Sequence, residues 1–92
     1  MLKPLFPAGH LVATPGAIAL LESNHVPIMG LVARHLAGDW GEALCEEDRH
    51  ANDTALKVGT RILSAYRVGK EKVWIITEWD RSATTVLLPE DY

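Results

Sequence analysis

The chain has 92 residues, with nine Lys and Arg against twelve Asp and Glu, and a formal net charge of −3 with histidine neutral. That balance lacks the basic surplus of a nucleic-acid-binding domain. The single cysteine, Cys45, excludes an intramolecular disulfide framework and a multi-cysteine zinc site, and no apolar run approaches the ~18 residues of a membrane span.

Hydrophobic residues at 48% and charged residues at 23% are ordinary globular values. A chain of this mass keeps roughly 5,300 Å² of an unfolded ~14,600 Å², so about 64% is buried. That supports one modest core, and residues 1–92 read as a single α+β domain. Pro4, Pro7 and Gly9 make the first nine residues an extended arm. The same prolines interrupt the run that a secretory signal needs, which predicts a cytoplasmic protein.

His10-Leu11-Val12-Ala13 is then a candidate short edge strand. Thr14-Pro15 opens a first helix, because the threonine hydroxyl can accept from an orphan N–H and proline suits the first helical position. Ala17, Ile18 and Leu21 are its expected inward face, and Asn24 its left-handed stop. A second helix starts near Pro27, with Ile28, Leu31, Val32 and Leu36 as its buried stripe and Gly38 as its stop. Asn24-His25-Val26 joins the two as a helical hairpin. Arg34 and His35 close the second helix, where positive charge is favoured. Glu46-Glu47-Asp48 begin a third helix ending at Gly59. Its expected inner face is Leu44, Ala51, Ala55 and Val58, and its solvent face Arg49, Asp53 and Lys57.

From Arg61 the period becomes two. Residues 61–68, 72–79 and 83–88, joined by short turns, predict a three-stranded antiparallel meander. The whole is two or three helices followed by that meander, with the edge strand as a possible addition. In the central strand Val73, Ile75, Thr77 and Trp79 alternate with Trp74, Ile76 and Glu78, so both faces are largely apolar. Trp74 and Trp79 cannot share one core.

Four histidines lack metal-ligand spacing, and Glu46 with His50 at i, i+4 reads as an exposed ion pair, so no metal and no cofactor is expected. Cys45 sits before the third helix, where the helix dipole favours a thiolate and the following acids oppose it. There is no nucleophile elbow and no phosphate loop. One catalytic reading remains, a metal-independent ribonuclease. It uses His35 or His50 as base, Arg81 or Arg67 on the phosphate, and Glu78 or Tyr66 as a second group, with Thr77, Thr84 and Thr85 near the second turn supplying hydroxyls. The same residues also have structural explanations: Asp80-Arg81-Ser82 is good turn chemistry and His35 a helix-end charge. Arg61, Arg67, Lys70 and Lys72 form a possible basic strip that keeps nucleic acid in view. Trp40, Trp74, Trp79, Arg61 and Arg67 are the candidate binding residues, since interfaces favour aromatic side chains and arginine.

The strings Arg34-His35-Leu36-Ala37-Gly38-Asp39-Trp40-Gly41, Arg61-Ile62-Leu63-Ser64-Ala65-Tyr66 and Trp74-Ile75-Ile76-Thr77-Glu78-Trp79-Asp80-Arg81-Ser82, with the closing Leu87-Leu88-Pro89-Glu90-Asp91-Tyr92, resemble a family of short bacterial proteins of plasmids and integrative elements, described as plasmid-related proteins. The resemblance implies a mobile-element setting and no particular chemistry. By analogy it also implies action on a host-defence component. The order of helices and strands is similar, in architecture alone, to RelE/barnase-like toxin nucleases. The expectation is therefore a cytoplasmic protein that binds a macromolecular partner, a protein, with a homodimer through the sheet as a further possibility.

Overall fold

A computed structural model describes residues 3–92; the first two residues of the expected arm lie outside this range. The chain runs β1 (His10–Ala13), α1 (Pro15–Ser23), α2 (Ile28–Leu36), α3 (Glu46–Val58), β2 (Ile62–Val68), β3 (Glu71–Thr77), β4 (Ala83–Leu87) and a closing 3-10 turn, Pro89–Asp91. The radius of gyration is 12.2 Å, and a single domain of this length scales to about 12 Å.

The α+β class holds, but the sheet is larger than the expected meander. It has four strands in the order β1-β4-β3-β2. β2, β3 and β4 pair antiparallel, while β1 pairs parallel to β4, from His10 opposite Ala83 to Ala13 opposite Val86. The sheet is therefore mixed. A parallel neighbour more than seventy residues away in sequence leaves no turn signal between the two strands.

The helix starts follow local chemistry. Thr14 Oγ1 accepts from the Ala17 N–H at 3.2 Å, with Pro15 in the first turn. Gly59 ends α3 in the left-handed region, φ 74°. Three expectations are corrected. Asn24 is not left-handed (φ −102°); the left-handed residue is His25 at φ 55°. α1 and α2 turn through 109° instead of forming a hairpin. On α3, Ala51 and Val58 are exposed and Asn52 takes the buried place beside Ala55. Of the expected solvent face, Asp53 and Lys57 are exposed and Arg49 is half-buried. Arg49 donates to the Gly41 carbonyl, and Asp53 accepts from the Trp40 indole.

The core has two parts. α1 and α2 lay Ala17, Leu21, Leu31 and Val32 on one sheet face, against Tyr66, Val68, Val73, Ile75 and Val86. Ile18, expected inward, is 40% exposed. A second cluster gathers Phe6, Trp40, Leu44 and Ala55 around Ile62 and Ala65. Phe6 belongs to the expected arm, so that segment is anchored: the Leu5 N–H donates to the Leu36 carbonyl at 2.7 Å.

The outer edge of β2 is closed by side chains and a loop. Asn52 bridges Leu63 twice, accepting its N–H at 3.0 Å and donating to its carbonyl at 2.5 Å. The Ala65 N–H and carbonyl pair with the Trp40 carbonyl and the Ala43 N–H at 3.0 and 3.1 Å. Glu42 accepts from the Arg67 N–H at 2.9 Å. Gly41 permits that approach: it sits at φ +93°, and a Cβ there would lie 2.0 Å from the Ala65 carbonyl oxygen.

Asn52→Ala strips two buried partners from Leu63 and should lower stability by about 2–4 kcal/mol, since each orphaned backbone group costs ~1–3 kcal/mol. Urea unfolding checks this; a loss under about 0.5 kcal/mol would show that α3 does not depend on this bridge.

Candidate functional site

Two places gather the side chains that the sequence singled out. The first lies between α2 and the sheet. His35 falls on the α2 stripe, one turn after Leu31 and Val32, and is fully buried (0% exposed) instead of serving as a helix-end charge. Its Nδ1 lies 2.5 Å from Ser64 Oγ on β2, and its Nε2 2.8 Å from Thr77 Oγ1 on β3. Thr77 Oγ1 is 2.7 Å from Thr84 Oγ1 on β4, which donates to the Ala8 carbonyl at 2.7 Å. Four side chains thus link α2, three strands and the N-terminal segment.

The direction of every proton in this chain follows from its end. A carbonyl only accepts, so Thr84 donates to Ala8 and must accept from Thr77. Thr77 has then used its hydrogen and accepts from His35 Nε2–H. Nδ1 is left to accept from Ser64. The imidazole is therefore neutral with its proton on Nε2. Burial pushes its pKa down to about 4, and the Arg81 guanidinium adds to the effect. A group that is inaccessible, has both nitrogens committed and stays neutral at pH 7 is a structural histidine.

Arg81 is committed as well. It sits at φ 60° in the turn between β3 and β4. Its guanidinium donates to the carbonyls of Thr60 at 2.6 Å, Glu78 at 3.1 Å and Ala55 at 3.1 Å, and lies 5.5 Å from the Phe6 ring centroid. It ties the end of α3 to the hairpin and the arm. Tyr66 is buried and donates to the Asp39 carbonyl at 2.6 Å; burial pushes its hydroxyl pKa up. Arg34 stands over its ring at 4.6 Å and pairs with Asp39 at 2.6 Å, which holds that carboxyl below the usual range. Glu78 is exposed. His35, Arg81, Tyr66 and Glu78 thus form no common accessible cleft, and the groups meant to act on phosphate are spent on backbone carbonyls and core hydroxyls.

The second place is the sheet face opposite α1 and α2. Ala65, Ile76 and Leu87 on this face are nearly covered, at 1%, 6% and 6% exposed, while Leu63, Trp74 and Thr85 are half-buried. Tyr92 stands over the face, its ring 5.9 Å from Trp74 and hydrogen-bonded and stacked with Arg61. Around them Arg61, Ile76, Glu78, Thr85, Leu87 and Tyr92 line a depression of about 230 Å³. Across Trp74 lies a second of about 240 Å³, reaching Leu44, Cys45, Lys72 and Pro89. Asp91 pins the closing turn by accepting from Thr14 Oγ1 at 2.7 Å. Trp79, 68% exposed, stands next to Glu78 at the end of β3.

Of the candidate binding residues, Trp74 and Arg61 meet here through Tyr92, and Trp79 is exposed without lining either depression. Trp40 is core: 5% exposed, packed on Phe6 at 6.4 Å between centroids and donating to Asp53. Arg67 lies at the far end of β2, opposite Lys72, so the basic strip is split by Leu63 and Ala65. Tyr92 and Leu87 were not among the candidates, and Thr85 was one only as a hydroxyl of the catalytic reading; the alternation of β4 and the terminal aromatic were the available signals. Among the described residues no three His, Cys, Asp or Glu side chains converge on a metal-sized site. Cys45 is exposed and donates to Asp48 at 3.2 Å, and His50 pairs with Glu46 at 3.7 Å in solvent. Among the described residues no single helix is long and apolar enough to cross a membrane. No family model, curated protein or solved structure matches the chain.

The buried imidazole makes stability depend on pH with a definite sign. The unfolded chain takes a proton near pH 6.5 and the folded one only near 4. This contribution is complete above pH 6.5 and is lost as pH falls toward 4, by about 3 kcal/mol in all. Imidazole nitrogen NMR of the native protein at pH 5.5 is expected to read a neutral Nε2–H ring for His35; an imidazolium signal at that pH would overturn the assignment.

Proposed function

We propose that this protein is a binding module that engages a protein partner through the helix-free face of its sheet, at the surface built by Arg61, Trp74 and Tyr92. The observation that carries the reading is the exposure of a large aromatic there: Tyr92 is 72% exposed, over the half-buried Trp74 and against Arg61. Tryptophan, tyrosine and arginine supply most of the residues on which binding energy concentrates. Exposed aromatics are costly to leave in water, and here they rim shallow hollows instead of closing a core.

The surface also has means of orienting a partner. Arg61 and Glu78 place one charge of each sign on the rim of the same depression, with the Thr85 hydroxyl beside them. At about 230 Å³ the hollow is shallow and smaller than the enclosed ~300–1,000 Å³ pocket that usually takes a small molecule. It fits a partner that lays an apolar side chain between Tyr92 and Leu87 and meets the rim with complementary charge. A host-defence protein of the cell carrying the element is the partner class that the sequence resemblance favours.

The test is affinity capture from the producing organism, with the wild-type chain beside Tyr92→Ala and Arg61→Ala, followed by titration of the purified captured protein. Each substitution should weaken binding about ten- to thirty-fold, the effect of losing ~1.4–2 kcal/mol at an anchor. Retention of the captured protein at full affinity by both variants would overturn the assignment to this face.

A further inference from the structure

The two edges of the sheet are treated very differently. The outer edge of β2 is sealed by Asn52, Trp40, Ala43 and Glu42, as described above. The other edge, β1, is open. The His10 N–H donates to the Ser82 carbonyl and the Thr14 N–H to the Val86 carbonyl, at 2.9 Å each. In a parallel ladder alternate residues turn both backbone groups to the same neighbour, so His10, Val12 and Thr14 face β4. Leu11 and Ala13 must then point their N–H and carbonyl groups away from the sheet, and those four groups have no partner among the described residues.

Among the described residues no segment covers this edge, whose one protection is the shortness of β1. Natural sheets blunt open edges with lysine, proline, bulges or a covering segment, and His10-Leu11-Val12-Ala13 carries no lysine, proline or acidic residue. Leu11 and Val12 are 46% and 50% exposed, and Met29 on the flanking helix is 56% exposed. A groove of about 140 Å³ runs beside the strand between Leu11, Ala13, Ile28, Met29 and Val32.

We propose that β1 pairs antiparallel with β1 of a second copy of this chain, about a two-fold axis at Val12, to form one continuous eight-stranded sheet. The occupant of such an edge must be an extended strand, because only a strand offers donors and acceptors at the right spacing. A second β1 matches it without residue. With the axis at Val12, Leu11 of each copy lies opposite Ala13 of the other, and Leu11 and Ala13 are the two residues whose groups are free. All four groups of each copy are satisfied by four hydrogen bonds, and Val12 faces its own symmetry mate. Leu11 shares a sheet face with Ala13 and α2, by its register with Thr84. Its side chain would enter the partner's groove beside Met29. The groove is lined by no charged side chain to repel its copy. Val12, on the opposite face, stands beside Thr85 of the aromatic surface, so the two surfaces adjoin at the sheet edge.

The experiment uses the full chain with Cys45→Ser, so that the native thiol cannot cross-link copies. Light scattering at tens of micromolar should give twice the 10.1 kDa chain mass. Leu11→Pro, which removes one outward N–H and none of the β4 bonds, should give the single mass with the same circular dichroism. Val12→Cys should oxidise to a covalent dimer, because directly opposed residues of this pair type lie about 4.5 Å apart between Cα atoms, within disulfide reach. A monomer at these concentrations overturns the proposal. So does a dimer that survives Leu11→Pro and in which Val12→Cys fails to cross-link; such a dimer would use another surface.

Discussion

The fold depends on a neutral imidazole held in the interior. His35 has no contact with water, and its two nitrogens find partners only because β2, β3 and β4 each present a hydroxyl at the right height. An unpaired polar group at that depth would cost several kcal/mol, so the register of three strands and the position of α2 must agree within a few tenths of an ångström. The chain of hydroxyls runs in one direction, from Ser64 to the Ala8 carbonyl, because its last acceptor cannot donate. That makes it a brace and not a proton relay. An apolar core of the same volume would hold these elements together, but it would not specify one register as strictly.

Other polar residues work in the same way around this brace. Arg81 collects the carbonyls at the end of α3 and the hairpin turn, Asn52 occupies the backbone groups of Leu63, and Glu42 takes the Arg67 N–H. A chain of 92 residues buries a limited apolar area, and here side chains that could serve chemistry are spent on joining elements. The large hydrophobic side chains left exposed include Tyr92 on the helix-free face, and Leu11 and Met29 at the β1 edge.

Much of this was legible from residue order. The proline-led helix starts, the acidic opening of α3, its glycine stop and the change to period two from Arg61 all follow from local chemistry, and the structure has them where local chemistry puts them. The strand at His10–Ala13 was legible as a strand, but its parallel pairing was not, because the pairing depends on two segments more than seventy residues apart. The site was harder to read for a related reason. His35, Arg81, Thr77 and Thr84 look like catalytic material in one dimension, since a sequence lists functional groups without showing what they touch. The period of α2 did place residue 35 on the buried stripe, one turn beyond Leu31 and Val32. Charge argued for a helix end, and burial decided it. Asn52 was hidden in the same way, as a polar residue at an inner helical position whose partner is a strand backbone.

The directional hydroxyl chain can be tested from its far end. Thr84→Val removes the acceptor of the Thr77 hydroxyl, and the chain can then reverse: Thr77 donates to Nε2, the ring proton moves to Nδ1, and Ser64 accepts it, since a serine hydroxyl both donates and accepts. Imidazole nitrogen NMR at pH 7 should therefore find the neutral ring of His35 protonated on Nε2 in the wild-type chain and on Nδ1 in Thr84→Val. An Nε2–H ring retained in Thr84→Val would contradict the claim that these four side chains act as one chain through His35.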